Sequence, residues 1–136
     1  MNAPTGRLPI HTAYVGAHLF HARLASHWGE LALQVLKMYA PDASDLAAAV
    51  DRALHDRVYT QLRHKLEREP IEDLRIDFED GFGTRSDEEE DAAAHAAGAE
   101  VADGIATRTL PPCFGIRIKP LVPSMGHEAA ARSSGS

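Results

Sequence analysis

Apolar residues recur along the chain with two periods, and the switches between them mark out the elements. The first apolar stretch, residues 10–15 (IHTAYV), is short, rich in β-formers and bounded by Pro9 and Gly16, which predicts a strand. Leu24, Trp28, Leu31, Val35 and Leu36 then recur at helical spacing until Pro41 and Asp42 stop the run. Asp42 or Ser44 caps a second helix running through Leu46, Val50 and Leu54. Val58, Leu62 and Leu66 continue in steps of four. Such a repeat drifts by about 40° per step, so one straight helix cannot hold the stripe on one face. A break near Tyr59 and Thr60 is expected, then a basic helix over 61–68 that ends before Pro70.

Residues 74–79 switch to strict alternation, Leu74, Ile76 and Phe78 against Arg75, Asp77 and Glu79, and predict the second strand. Gly81-Phe82-Gly83 turns the chain. Ser86 with Glu89 forms a capping box for an alanine-rich helix reaching about Ile105. After Pro111 and Pro112, residues 114–119 alternate again, Phe114, Ile116 and Ile118 against Gly115, Arg117 and Lys119, as a third strand. Residues 1–9 are expected as an N-terminal extension, and residues 122–136, without apolar period, as a disordered tail. No internal repeat is visible.

Strand, helices, strand, helix, strand is the order that builds a parallel α/β sheet. A full eight-unit barrel takes about 250 residues. The 136 residues here make either a small open sheet or about three βα units of a larger barrel.

A net charge of −6 argues against nucleic acid as a partner, because phosphate neutralisation needs a basic face. No run is long and apolar enough for a membrane span, and the N-terminus lacks a signal layout. The single cysteine, Cys113, excludes an internal disulfide framework and fits a reducing cytoplasm; it reads as a packing residue.

The alternating strands put charge on one face. In a barrel, Asp77 and Glu79 point inward beside Arg117 and Lys119, where acidic strand two and basic strand three offset each other's burial. On an open sheet the same face is simply solvated. Asp80 and the Gly81-Phe82-Gly83 turn fall at the C-terminal end of the second strand, where parallel α/β folds gather ligands. The glycines also serve as plain turn residues. A phosphate loop fits poorly, since Ser86 replaces the third glycine and Asp87, Glu88, Glu89, Glu90 and Asp91 open the helix. His18, His21 and His27 cluster at a helix start without metal-site spacing and read as surface or boundary residues.

The stretch IEDLRIDFEDGFGTRSDEEEDAAA, with HTAYVGA before it, KLEREPIEDLR leading in and LPPCFGIRIK after, resembles the HpcH/HpaI aldolase and citrate lyase β-subunit group over roughly residues 10–121. The resemblance implies the N-terminal part of a (β/α)8 TIM barrel of the pyruvate/phosphoenolpyruvate enzyme type. It implies a divalent-metal-dependent carbon–carbon lyase, usually with Mg²⁺, acting on a 2-oxo or hydroxy acid. In that pattern Arg117 grips the substrate's carboxylate or keto oxygen, with Gly81 also at the substrate. Glu79 and Asp80 end strand two beside the metal, through its waters, with Asp80 catalytic. Asp77 opens the strand-two motif, and Lys119 stands where relatives often carry asparagine. The direct metal ligands belong to later strands, which nothing after Lys119 resembles. A truncated, inactive piece with weak or no Mg²⁺ binding is therefore expected. The alternative is a non-catalytic subunit or gene remnant acting by self-association or with a complementing chain.

Overall fold

A computed structural model describes residues 7–121, in which four helices accompany a three-stranded parallel sheet; the first and last helices pack on one face of the sheet, and the middle two pack beside the first. The strands are β1 (Ala13–Gly16), β2 (Asp73–Asp77) and β3 (Cys113–Arg117), in spatial order β1-β2-β3. In register, Ala13, Leu74 and Phe114 form one cross-strand row and Val15, Ile76 and Ile116 the next on the same face. That face is the core side. Leu74 and Ile76 are buried there with Val15, Phe20, Leu24, Phe82 and Ala97.

Helix α1 (Leu24–Tyr39) contributes Leu24 and Trp28 to this core, while Val35, Met38 and Tyr39 in its second half are exposed. Gly29 lets α1 cross α3 (Asp56–Arg68) closely: a Cβ there would stand 2.5 Å from the Leu66 carbonyl oxygen. Helix α2 (Ala43–Ala49) is capped by Asp42, whose side chain accepts from the Asp45 N–H. Helix α4 (Asp87–Thr107) begins with the full Ser86/Glu89 capping box and lays Ala93, Ala97 and Val101 on the sheet.

Several expected boundaries shift, each for a local reason. Residues 10–12 do not join the ladder; the Ile10 N–H and the His11 ring bond to Glu72 instead, and β1 starts at Ala13. The second helix stops at Ala49, short of Leu54. The helical break falls at 50–55 rather than at Tyr59 and Thr60: Asp51 takes a positive φ of 51°, and His55 restarts the chain by capping the Arg57 N–H. β2 ends at Asp77, not Glu79, because the Asp77 carboxylate captures the Glu79 N–H and turns the chain. β3 ends at Arg117, before Lys119.

Arg7, placed in the expected extension, is held by Glu69 and Glu72. The expected 122–136 tail lies outside the described residues. Among the described residues no helix is long and apolar enough to cross a membrane.

Candidate functional site at the C-terminal strand ends

The opposite face of the sheet carries the polar rows: Tyr14, Arg75 and Gly115, then Gly16, Asp77 and Arg117. Asp77 is the last residue of β2 and is 1% exposed. Burying a carboxylate so fully requires that its lone pairs be met by donors. Four donors meet them. Oδ1 accepts from the Glu79 N–H and from Arg117 Nε, both at 2.9 Å. Oδ2 accepts from the Gly81 N–H at 2.8 Å and from an Arg117 Nη2–H at 2.6 Å.

One aspartate thus folds the turn after β2 and grips the guanidinium of β3 as a two-pronged pair. The Arg117 hydrogen bonds, joined by those from the Glu79 and Gly81 amides, hold the Asp77 carboxyl far below the usual range against the opposing effect of burial. The same pairing raises Arg117, with Glu79 and Asp80 adding smaller attractions. Gly81 is required sterically, because a Cβ on it would stand 2.7 Å from Asp77 Oδ2.

Arg117 retains an open side. Its side chain is 35% exposed, its guanidinium carbon lies 4.7 Å from the Tyr14 ring centre, and Asp80 Oδ2 stands 3.7 Å from Nη2. Asp80 itself faces solvent, with its side chain 81% exposed. The structure therefore brings Asp77, Glu79, Asp80, Gly81 and Arg117 together at one end of the sheet. Lys119 departs from this group: instead of joining Asp77 and Glu79, it pairs with Glu90 in the first turn of α4. With β3 ended at Arg117, the lysine no longer alternates onto the polar face.

Sequence reasoning did not single out Tyr14 at this end and read His18 as a surface or boundary residue, and His18 is indeed exposed. Tyr14 lies under the Arg117 guanidinium, a contact visible only once β1 is in register beside β2. His18 curls back over Gly16; a Cβ on that glycine would stand 2.6 Å from the His18 ring and would clash with the Gly81 carbonyl. A glycine closing a strand, two residues before a histidine, is the signal that was present. His21 and His27 are exposed.

At the opposite end of the polar face, Asp73 accepts from the Thr12 hydroxyl and from Arg75, all at Oδ2. Its Oδ1 is buried without a donor among the described residues. Arg75 reaches across Gly115, where a side chain would collide with the guanidinium.

As for a metal, Asp77 has no free lone-pair direction, which leaves Glu79 and Asp80 as the carboxylates able to face a cation. Among the described residues no group of three or more His, Cys, Asp or Glu side chains is placed to hold one. These residues alone do not complete a cation site.

A family model described as Domain of unknown function (DUF6986) matches residues 2–133. No curated protein and no solved structure matches the chain.

Proposed function

We propose that this chain, which belongs to the DUF6986 family, supplies the carboxylate-binding part of an active site of the HpcH/HpaI aldolase and citrate lyase type, on the opening three βα units of a (β/α)8 barrel. The observation that carries the reading is the Asp77–Arg117 pair, at the C-terminal ends of parallel strands and opposite the helices. Ligands of parallel α/β folds gather at that end. Pairing with Asp77 fixes the arginine fork in advance, so less freedom is lost when a substrate carboxylate binds its open side.

On this reading Arg117 holds the carboxylate or keto oxygen of a 2-oxo or hydroxy acid, with the Gly81 turn beside it. Asp80 is the solvent-facing carboxylate that can take or return a proton there. A divalent cation, Mg²⁺ in the family resembled, would supply Lewis-acid polarisation of the substrate oxygen. Glu79 and Asp80 would face its waters, and its direct ligands would come from further strands. The chain alone is accordingly inactive as a lyase.

The test is an NMR titration of the chain with propionate, a plain carboxylate. Propionate should shift the Arg117 Nε–H and the Asp80 and Gly81 amides, and Arg117→Lys, which keeps the charge but loses the fork, should abolish the response. Absence of any shift at these positions, or Mg²⁺-dependent lyase turnover by the purified chain alone, would overturn the reading.

A second reading, association with another chain, is favoured by a specific feature. Beside β3, which among the described residues pairs with β2 alone, Ile116 and Ile118 are 60% and 59% exposed. Together with Phe78, Val101 and Phe114 they line an apolar groove of about 370 Å³ against α4. An uncovered edge with an apolar flank is a site of strand addition. Concentration-independent monomer behaviour in analytical ultracentrifugation would count against it.

A further inference from the structure

The cross-strand row of Val15, Ile76 and Ile116 is covered unevenly: Val15 is 5% exposed, Ile76 1% and Ile116 60%. The helices shield the apolar face as far as β2 and leave β3 bare. Ile116 and Ile118 line the groove together with Ala94 and Gly98 of α4, and a Cβ on Gly98 would meet nothing within 4 Å. The backbone of β3 is unfinished on the same side. The Cys113 N–H donates to the Glu72 carbonyl and the Arg117 carbonyl accepts from the Phe78 N–H, so both residues face β2. Along a strand, the N–H and C=O of neighbouring residues point to opposite sides. Phe114 and Ile116 therefore present theirs to the outer edge, which no strand pairs among the described residues, and Ile118 follows in phase. No proline interrupts 113–119. Edge strands are commonly kept apart by charges placed on them. Here the cations are tied down: Arg117 folds back over β2 to Asp77 and Tyr14, Lys119 pairs with Glu90, and Arg75, above Gly115, is held by Asp73.

We propose that the β3 edge pairs antiparallel with the β3 edge of a second copy of this chain, about a two-fold axis at Ile116. This rests on the association reading above and names the other chain. With the axis there, Ile116 meets its own counterpart and Phe114 meets Ile118 of the second copy. These are the residues whose backbone groups face the edge, so each pair exchanges both of its N–H···O bonds. Their side chains lie on the apolar face and continue the row from one copy into the next. On the polar face, Arg117 stands opposite Gly115 of the second copy. An axis at Arg117 would set two arginines against each other. An axis at Gly115 would bring Pro112, which has no N–H, opposite Ile118. Charge and backbone donors thus select the same register. A contact that uses one patch on both copies closes at two.

The experiment follows a dilution series by analytical ultracentrifugation and by residue-resolved hydrogen exchange. At high concentration the mass should reach that of two copies and stop there. The amides of Phe114, Ile116 and Ile118 should be protected in that species and exchange quickly on dilution. Those of Gly115 and Arg117, which face β2, should stay protected throughout. Ile116→Lys sets like charges across the axis and should weaken the dimer by about ten-fold or more. Ile118→Lys, which faces Phe114 of the second copy, should weaken it less. Both positions are more than half exposed, so both variants should keep the native far-UV circular dichroism. The inference is overturned if the mass climbs beyond two copies, if the edge amides exchange alike at both concentrations, or if Ile116→Lys dimerises as the native chain does. In each of these cases association itself survives and this interface does not. A chain that stays monomeric throughout refutes instead the association reading on which the inference stands.

Discussion

Asp77 couples two tasks in one side chain, closing the turn after β2 and holding Arg117, and both depend on four donors converging on two oxygens. Asp77→Ala therefore leaves two amides and a guanidinium without their acceptor. Removing one member of a buried pair costs about 3–5 kcal/mol, but Arg117 is partly exposed and can turn to water, which places the loss nearer about 2–3 kcal/mol. The midpoint of urea denaturation measures it. Asp77→Asn should fall between the native chain and Asp77→Ala, because its amide nitrogen must face one of the existing donors.

At the scale of elements, α4 is the longest helix among the described residues, and it meets the sheet through small side chains. It buries small residues, Ala97 and Gly104, rather than large ones. Its start depends on the capping box, in which Ser86 Oγ accepts from the Glu89 N–H and the Glu89 carboxylate accepts from the Ser86 N–H. Ser86→Ala should lower stability by about 1 kcal/mol. Hydrogen exchange should quicken first in the turn at 78–86, upstream of the cap.

Elements with a local cause could be read directly from the sequence: the alternation of β2, the Asp42 cap and the Ser86/Glu89 box all depend on residues within a few positions of one another. The break between α2 and α3 was only half legible. A four-residue repeat shows that the stripe must be interrupted, but the place is set by the positive φ of Asp51 and by the His55 cap, neither of which carries a strong propensity. The approach of Arg117 to Asp77 followed from strand order. The turn of His18 over Gly16 and the pairing of Lys119 with Glu90 arise from loop paths and strand ends, which periodicity does not specify.

For the molecule as a whole, β2 is anchored at both ends by carboxylates. At its start Glu72 gathers Arg7, Lys65 and the Ile10 N–H, tying the N-terminal segment and α3 to the central strand. Its hydrogen bonds from Lys65 and Ile10 lower its carboxyl from 4.5 to about 2. A carboxyl that ionises more readily when folded stabilises the fold while it stays charged. This contribution is complete above pH about 4.5 and is lost as the pH falls towards about 2. Asp77 is lowered further, so its share is lost at still more acid pH. Thermal melts followed by circular dichroism should show the midpoint descending through this window. Glu72→Gln should start lower at neutral pH and descend less steeply, and identical slopes for the two chains would contradict the assignment.

The parallel ladder has a mechanical consequence. Tension applied between Arg7 and Lys119 pulls β1 from its beginning and β3 from its end, in opposite directions past β2. Every rung between the strands is then strained lengthwise at once instead of being unzipped one by one, and the ion pairs at Glu72 and Asp77 share the load at either end. A sheet of only three short strands thereby yields as a unit, with β2 as its last part to give way.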